Sequence, residues 1–206
     1  MSIKLKVCGL RDTENLYDIS KLPIDYLGFI YYAQSKRFVG NDFLRPELKN
    51  QKTVGVFVNN SEPEILDQLS KNNLQLIQLH GSESPAFCES LRKSIPVIKA
   101  FGVDEAFDFE ILNDYIDCSD YFLFDTKTPD YGGSGIKFNH HILNDYKHDK
   151  PFFLSGGIDF DDVEEILTMN LTNLHAIDIN SKFEISPGLK NINKIEQLTD
   201  LMIKYK

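Results

Sequence analysis

Residues 53–103 read TVGVFVNNSEPEILDQLSKNNLQLIQLHGSESPAFCESLRKSIPVIKAFGV. Three short apolar runs stand in this stretch, at 53–58, 74–79 and 97–103, and each has the length of a buried strand. Two helix patterns separate them. Ser61 is a candidate N-cap with Pro63 in the first turn, and Ile65, Leu66 and Leu69 follow at helical spacing. Ser84-Pro85 opens the second, followed by Phe87, Leu91 and Ile95. Strand, helix, strand, helix, strand is the pattern of parallel βαβ units, because a crossover between parallel strands needs a helix-sized connection.

The same alternation extends to both ends of the chain. Further apolar runs lie at 3–8, 26–32, 121–125, 152–154 and 174–179, which makes eight. Their starts are roughly 21 to 31 residues apart, the size of a βα unit. Acids at 159–162 precede Val163, Ile166 and Leu167, as at the positive end of a helix. Ile192, Ile195, Leu198, Leu201 and Met202 form a last apolar stripe. The weakest unit is 43–50, short and broken by Pro46. Strict alternation suits an open doubly wound sheet or a closed barrel. Eight units with almost nothing left over favour the barrel. The expected fold is α/β, a single-domain (βα)8 TIM barrel over 1–206, at the short end for that architecture.

Composition limits the partners. The chain has 206 residues, 22 Lys+Arg and 31 Asp+Glu, hence a net charge of −9. That balance argues against nucleic acid or an anionic membrane, both of which reward a basic surface. No run approaches the roughly 18 apolar residues of a membrane span. The start, MSIKLKVCGLRD, does not read as a signal peptide. Three cysteines, Cys8, Cys88 and Cys118, form no disulfide framework or metal-ligand spacing, so a reducing, cytoplasmic setting is expected.

Barrels of this kind carry their chemistry at the carboxyl ends of the strands. There the chain has Cys8-Gly9, 34–37 with Arg37, Asn59, His80-Gly81, Phe101-Gly102, Asp125-Thr126-Lys127, Ser155-Gly156-Gly157 and 178–182. Alternation puts Lys6 on the face of Cys8, Gln78 on that of His80, and Ala176 on that of Asp178. A buried Lys6 needs a partner, and Asp178 across the first and last strands is the expected one. The tract Asp125-Thr126-Lys127-Thr128-Pro129-Asp130-Tyr131-Gly132-Gly133-Ser134-Gly135 ends a strand and continues as a Gly-rich loop, which reads as a cover over the site. Ser155-Gly156-Gly157, with the turn after the eighth strand, is the better phosphate cradle, since backbone N–H groups bind phosphate there.

LKVCGL, LGFIYYAQSKRFV, VGVFVN, LIQLHG, IKAFGV, FDTKTPDYGGSG, LSGGI and HAIDINSKFE…PGLK occur in this order along essentially the whole chain. In these pieces it resembles the phosphoribosylanthranilate isomerases of tryptophan biosynthesis. The resemblance implies an Amadori rearrangement of N-(5-phosphoribosyl)anthranilate to the 1-deoxyribulose phosphate, with no metal and no cofactor. It implies Cys8 as general base and Asp125 as general acid. Arg37, His80 and Asp178 would bind substrate, and Gly156, Gly157, Asn180 and Ser181 the phosphate. Lys127, Gly132, Gly133 and Gly135 would belong to the cover loop. The implied partner is a small anionic phosphosugar-anthranilate, and the assembly a monomer or a homodimer. Relatives often carry Asp-Val-Ser-Ser-Gly-Val-Glu at the last strand, where this chain has Asp178-Ile-Asn-Ser-Lys-Phe-Glu184. A Gly there lets phosphate approach the backbone; Lys182 either crowds it or supplies charge.

Other readings stand beside these. Cys88 and Cys118, in helical stretches, read as small buried hydrophobes. His80 also reads as a structural hydrogen bonder, Gln78 as barrel filling, and His140 and His141 as solvated. Lys127 reads equally as solvated or as meeting the ligand. Asp104 and Glu105 look like first-turn helix acids, and 159–165 like a solvated helix start. The rival functions are another phosphosugar barrel, of the pentulose-phosphate epimerase or thiamin-phosphate synthase type, and a non-catalytic phosphometabolite-binding module. The epimerase type needs metal-ligating His at several strand ends, and here His80 is the one strand-end His. A binder needs neither Cys8 nor Asp125.

Overall fold

The computed structural model describes residues 2–48, 50–128 and 137–205. Eight strands close into a parallel barrel in chain order: β1 (Lys4–Val7), β2 (Tyr26–Ile30), β3 (Lys52–Phe57), β4 (Leu76–Leu79), β5 (Val97–Val103), β6 (Tyr121–Thr126), β7 (Phe152–Leu154) and β8 (Leu174–Ile179). β8 returns to β1, with Lys6 in register with Asp178. A two-stranded antiparallel appendage, β9 (Glu184–Ser186) and β10 (Leu189–Lys190), follows the barrel. The expected barrel is present, and the apolar runs match its strands to within about two residues, the usual fraying.

Alternation along each strand makes two cores. Tyr26, Val54, Leu76, Ile98, Ala100, Leu123, Phe153 and Ala176, drawn from seven strands, pack together as the barrel filling. The opposite strand faces, including Leu27, Phe29, Ile77, Leu79, Phe122, Phe124 and Ile177, pack against the helices.

Five α-helices cover that outer face: α1 (Thr13–Ile19), α2 (Glu62–Asn72), α3 (Pro85–Arg92), α4 (Phe160–Thr168) and α5 (Ile192–Lys204). Ser61 opens α2 with a capping box, its N–H and Oγ both donating to Glu64 Oε2 at 2.8 and 2.9 Å. Ser84 Oγ accepts from Phe87 N at 3.3 Å at the start of α3. Asp159 caps α4, and its acids are partly paired, Asp159 with Lys194 and Asp162 with Lys137.

Several connections differ from expectation. Residues 43–48 after β2 form no helix, as Pro46 and the short apolar run foretold. Among the described residues, the connections after β5 and β6 carry 3₁₀ turns, Phe109–Tyr115 and His140–Asp145. Asp104 and Glu105 therefore do not open a helix. Asp104 instead accepts from Ala106 N at 3.1 Å and pairs with Lys127 at 2.7 Å, because a short acid satisfies its own turn readily. Cys118 lies in the turn after the first 3₁₀ segment rather than in a helix, and it is buried, as is Cys88 in α3. His140 is not solvated: its Nε2 is buried, and burial lowers its pKa.

Candidate active site

The strand ends surround one cleft. Its walls include Cys8, Arg37, Gln78, His80, Asp125, Gly156, Gly157, Asp178, Asn180 and Ser181. The fold thus gathers the expected acid, base, substrate-binding and phosphate-binding residues in one place. Lys127 is beyond that wall: it is 64% exposed and paired with Asp104. Gly132, Gly133 and Gly135 of the expected cover loop lie outside the described residues.

Cys8 follows β1 and is buried. Its thiol packs over Gly28 of β2, where a Cβ would come 2.8 Å from Sγ. Directly below, Lys6 is fully buried and donates to Asp178 Oδ2 at 2.6 Å. This is the pairing alternation predicted. Burial opposes a charge on Lys6, but Asp178 and Cys8 together hold its pKa above the ordinary value, so it is an ammonium. These surroundings only partly favour the thiolate that a general base needs. Burial is the largest influence on Cys8 and pushes its pKa up, while Lys6 and Lys190 pull the other way.

Asp125 lies near the end of β6, with 15% of its side chain exposed. Its Oδ1 accepts from Thr126 N at 2.8 Å, and its Oδ2 lies 3.3 Å from His80 Nε2. His80 Nδ1 is 2.7 Å from Gln78 Nε2, and Gln78 Oε1 accepts from Lys6 Nζ at 2.9 Å. A continuous polar chain therefore runs from Asp125 through His80, Gln78 and Lys6 to Asp178. Gln78 is not filling. Alternation put it on the face of His80, but only barrel closure supplies Lys6 as its second partner.

Arg37 is held by a bidentate contact with Glu184: Nε reaches Oε1 and Oε2 at 2.9 and 3.0 Å, and Nη2 reaches Oε2 at 2.8 Å. Glu184 also accepts from buried Lys190 at 2.8 Å. Burial raises the Glu184 pKa, but the two cations outweigh it and hold the carboxyl below its ordinary value. Lys190 donates as well to Asn180 Oδ1 at 2.8 Å, which fixes the turn after β8. Sequence reasoning missed Glu184 and Lys190. Neither ends a barrel strand, and the Glu184 partner Arg37 lies in another part of the chain.

The expected phosphate cradle is a backbone turn. Gly156 has φ +100° and Gly157 φ +63°. A Cβ at Gly156 would sit 2.7 Å from Thr126 N, so this left-handed turn packs directly against the end of β6. The 3₁₀ turn Ser181–Phe183 faces it from β8. Lys182 within that turn is exposed and does not line the cleft, so its side chain leaves the cradle uncrowded. Its carbonyl accepts from Lys194 Nζ at 2.8 Å. Among the described residues, no group of three or more His, Cys, Asp or Glu is placed to hold a metal.

The family model of N-(5'-phosphoribosyl)anthranilate isomerase matches residues 5–200. The chain belongs to that family. The N-(5'-phosphoribosyl)anthranilate isomerase of Parabacteroides distasonis is 42% identical over 198 residues, covering 93% of this chain and 90% of that protein. The crystal structure of the Thermotoga maritima phosphoribosyl anthranilate isomerase superposes with a TM-score of 0.84 at 32% identity, over 98% of this chain and 99% of that one. A further isomerase structure, in complex with reduced 1-(o-carboxyphenylamino)-1-deoxyribulose 5-phosphate, has a TM-score of 0.80 at 27% identity, over 98% and 99%. Membership in the isomerase family therefore rests on the whole length of the barrel and not on one motif.

Proposed function

We propose that the chain, as one catalytic domain over 1–206, converts N-(5'-phosphoribosyl)anthranilate to 1-(2-carboxyphenylamino)-1-deoxyribulose 5-phosphate in tryptophan biosynthesis, in the cytoplasm. What carries this reading is the convergence of Cys8 and Asp125 on one cleft beside the Gly156-Gly157 cradle. Asp125 protonates the furanose ring oxygen; the C1–O bond breaks and leaves a Schiff base. Cys8, as thiolate, takes the proton from C2 to leave an enolamine, which becomes the ketone as C1 gains a proton and the 2-hydroxyl loses one, so that the acid and the base regain their starting states.

The two groups face opposite demands. Asp125 must hold a proton until the ring opens, and it stands in the cleft with 15% of its side chain exposed. Cys8 must lose its proton against burial, and Lys6 is the cation that offsets that cost. Arg37, preset by Glu184, offers a planar cation to the anthranilate carboxylate. Backbone N–H groups at 156–157 and 180–181 take the phosphate.

The test monitors substrate fluorescence after anthranilate and phosphoribosyl pyrophosphate have been coupled by the preceding transferase. Wild type should remove the signal. Cys8→Ala and Asp125→Asn should each lose about 10²–10⁴ in rate, the usual worth of a general acid or base, with an unchanged thermal transition. A variant that keeps the wild-type rate removes that residue from the mechanism.

A further inference from the structure

The polar chain under the cleft has a direction, and one member sets it. The Lys6 ammonium has hydrogens to give and no lone pair. It donates to Asp178 Oδ2 and to Gln78, so the Gln78 atom facing it must be the oxygen, Oε1. The amide NH2 of Gln78 is then left for His80 Nδ1, 2.7 Å away, where it can only donate. His80 Nδ1 must accept, and the single proton of the neutral ring stands on Nε2. That Nε2 is the atom 3.3 Å from Asp125 Oδ2.

We propose that Gln78 is a positioning residue for the isomerisation, fixing His80 as the Nε2–H tautomer so that its N–H faces Asp125. The inference rests on the reading of Asp125 as the acid. As Asp125 gives its proton to the ring oxygen, negative charge gathers on its carboxylate. Thr126 N–H already holds Oδ1, and His80 Nε2 stands 3.3 Å from Oδ2, close enough for its N–H to tighten onto that oxygen as the charge forms. The other tautomer would turn a lone pair on Oδ2. It would then hold the acid's proton itself and compete with the substrate for it. Lys6 thus acts on both ends of the reaction: it stands beside the base, Cys8, and through Gln78 it orients the group beside the acid.

Nitrogen NMR of the intact protein labelled with ¹⁵N-histidine reads the tautomer directly, with His80 assigned by the signal missing in His80→Gln. The expected wild-type spectrum at neutral pH shows protonated Nε2 and bare Nδ1. Gln78→Glu offers an acceptor to both neighbours and should move the proton to Nδ1. It should lower kcat about 10- to 100-fold with KM within about threefold, since the lost interaction belongs to the transition state. An Nδ1–H tautomer or an imidazolium in wild type overturns the inference, whether or not the variant folds. So does a Gln78→Glu protein with unchanged kcat, or with a loss confined to KM. Failure of the function reading is a different result, a wild type that does not consume phosphoribosylanthranilate.

Discussion

Lys6 shows how a single buried charge organises a site. Its ammonium is fully buried and is held by Asp178, Gln78 and Cys8. Removing one partner of such a pair leaves the other charged and desolvated. Lys6→Met should therefore cost about 3–5 kcal/mol, read from urea unfolding. Replacing both partners, with Asp178→Leu added, should recover most of that loss, because the orphaned carboxylate is gone. A double variant no more stable than Lys6→Met would mean that the damage is steric and not electrostatic. At the same scale, the rim positions of Cys8, before Gly9, and of Asp125, at the end of an apolar run, were legible, while their roles came from the family resemblance. The tilt of Cys8 toward the thiol form was not, because it depends on how much burial outweighs Lys6 and Lys190.

At the scale of the element, strands and helices answer to different signals. The strands follow from short apolar runs, since a parallel strand buried on both faces needs no alternation of polarity. The α-helices follow where a cap precedes an apolar stripe. Ser84 is the simplest case: its Oγ accepts from Phe87 N, and Pro85 follows it at the first helical position. Ser84→Ala should destabilise the protein by about 1 kcal/mol in the same unfolding assay, the usual worth of an N-cap. A change within error would show that packing of Leu91 and Cys88 holds α3 without its cap. The 3₁₀ segments after β5 and β6 do have caps, Asp108 accepting from Glu110 N and Asn139 from His141 N, but each buries a single residue, Leu112 or Leu143, and has no sustained apolar stripe to extend it into an α-helix. The weak unit around Pro46 fails as a helix for the same reason.

For the whole molecule, the far end of the barrel holds a half-buried histidine in an aromatic cluster. His175 Nε2 lies 2.8 Å from Tyr26 OH among Tyr121 and Phe153. Burial, reinforced by Lys4 and Lys52 and opposed by Asp25, lowers its pKa from 6.5 to about 4. The folded protein therefore binds this proton less readily than the unfolded chain does. The contribution is complete above pH 6.5 and is lost as pH falls from 6.5 through about 4. His175→Gln keeps a hydrogen bond and removes the titration, so the stability difference between wild type and variant should narrow across that window. Parallel stability curves would show that His175 titrates alike in both states. The net charge of −9 acts at this scale too. It opposes an anionic substrate at long range, so the cleft must reverse the sign locally with Arg37 and backbone N–H groups.

The sequence by itself determined the count and order of the barrel strands, the barrel, and the rim that carries Cys8, Arg37, His80, Asp125 and Asp178. Those properties are local: apolar run length, cap chemistry and the residue types just past each strand end. Gln78 bridging Lys6 and His80, Glu184 presetting Arg37, and Lys190 holding Asn180 were decided only by the tertiary structure. Closure brings β1 against β8, and partners separated by 72, 147 and 172 residues then share one desolvated site. In that site a polar group must find a partner or be costly, so the partners, and with them the direction of each proton, follow from the fold.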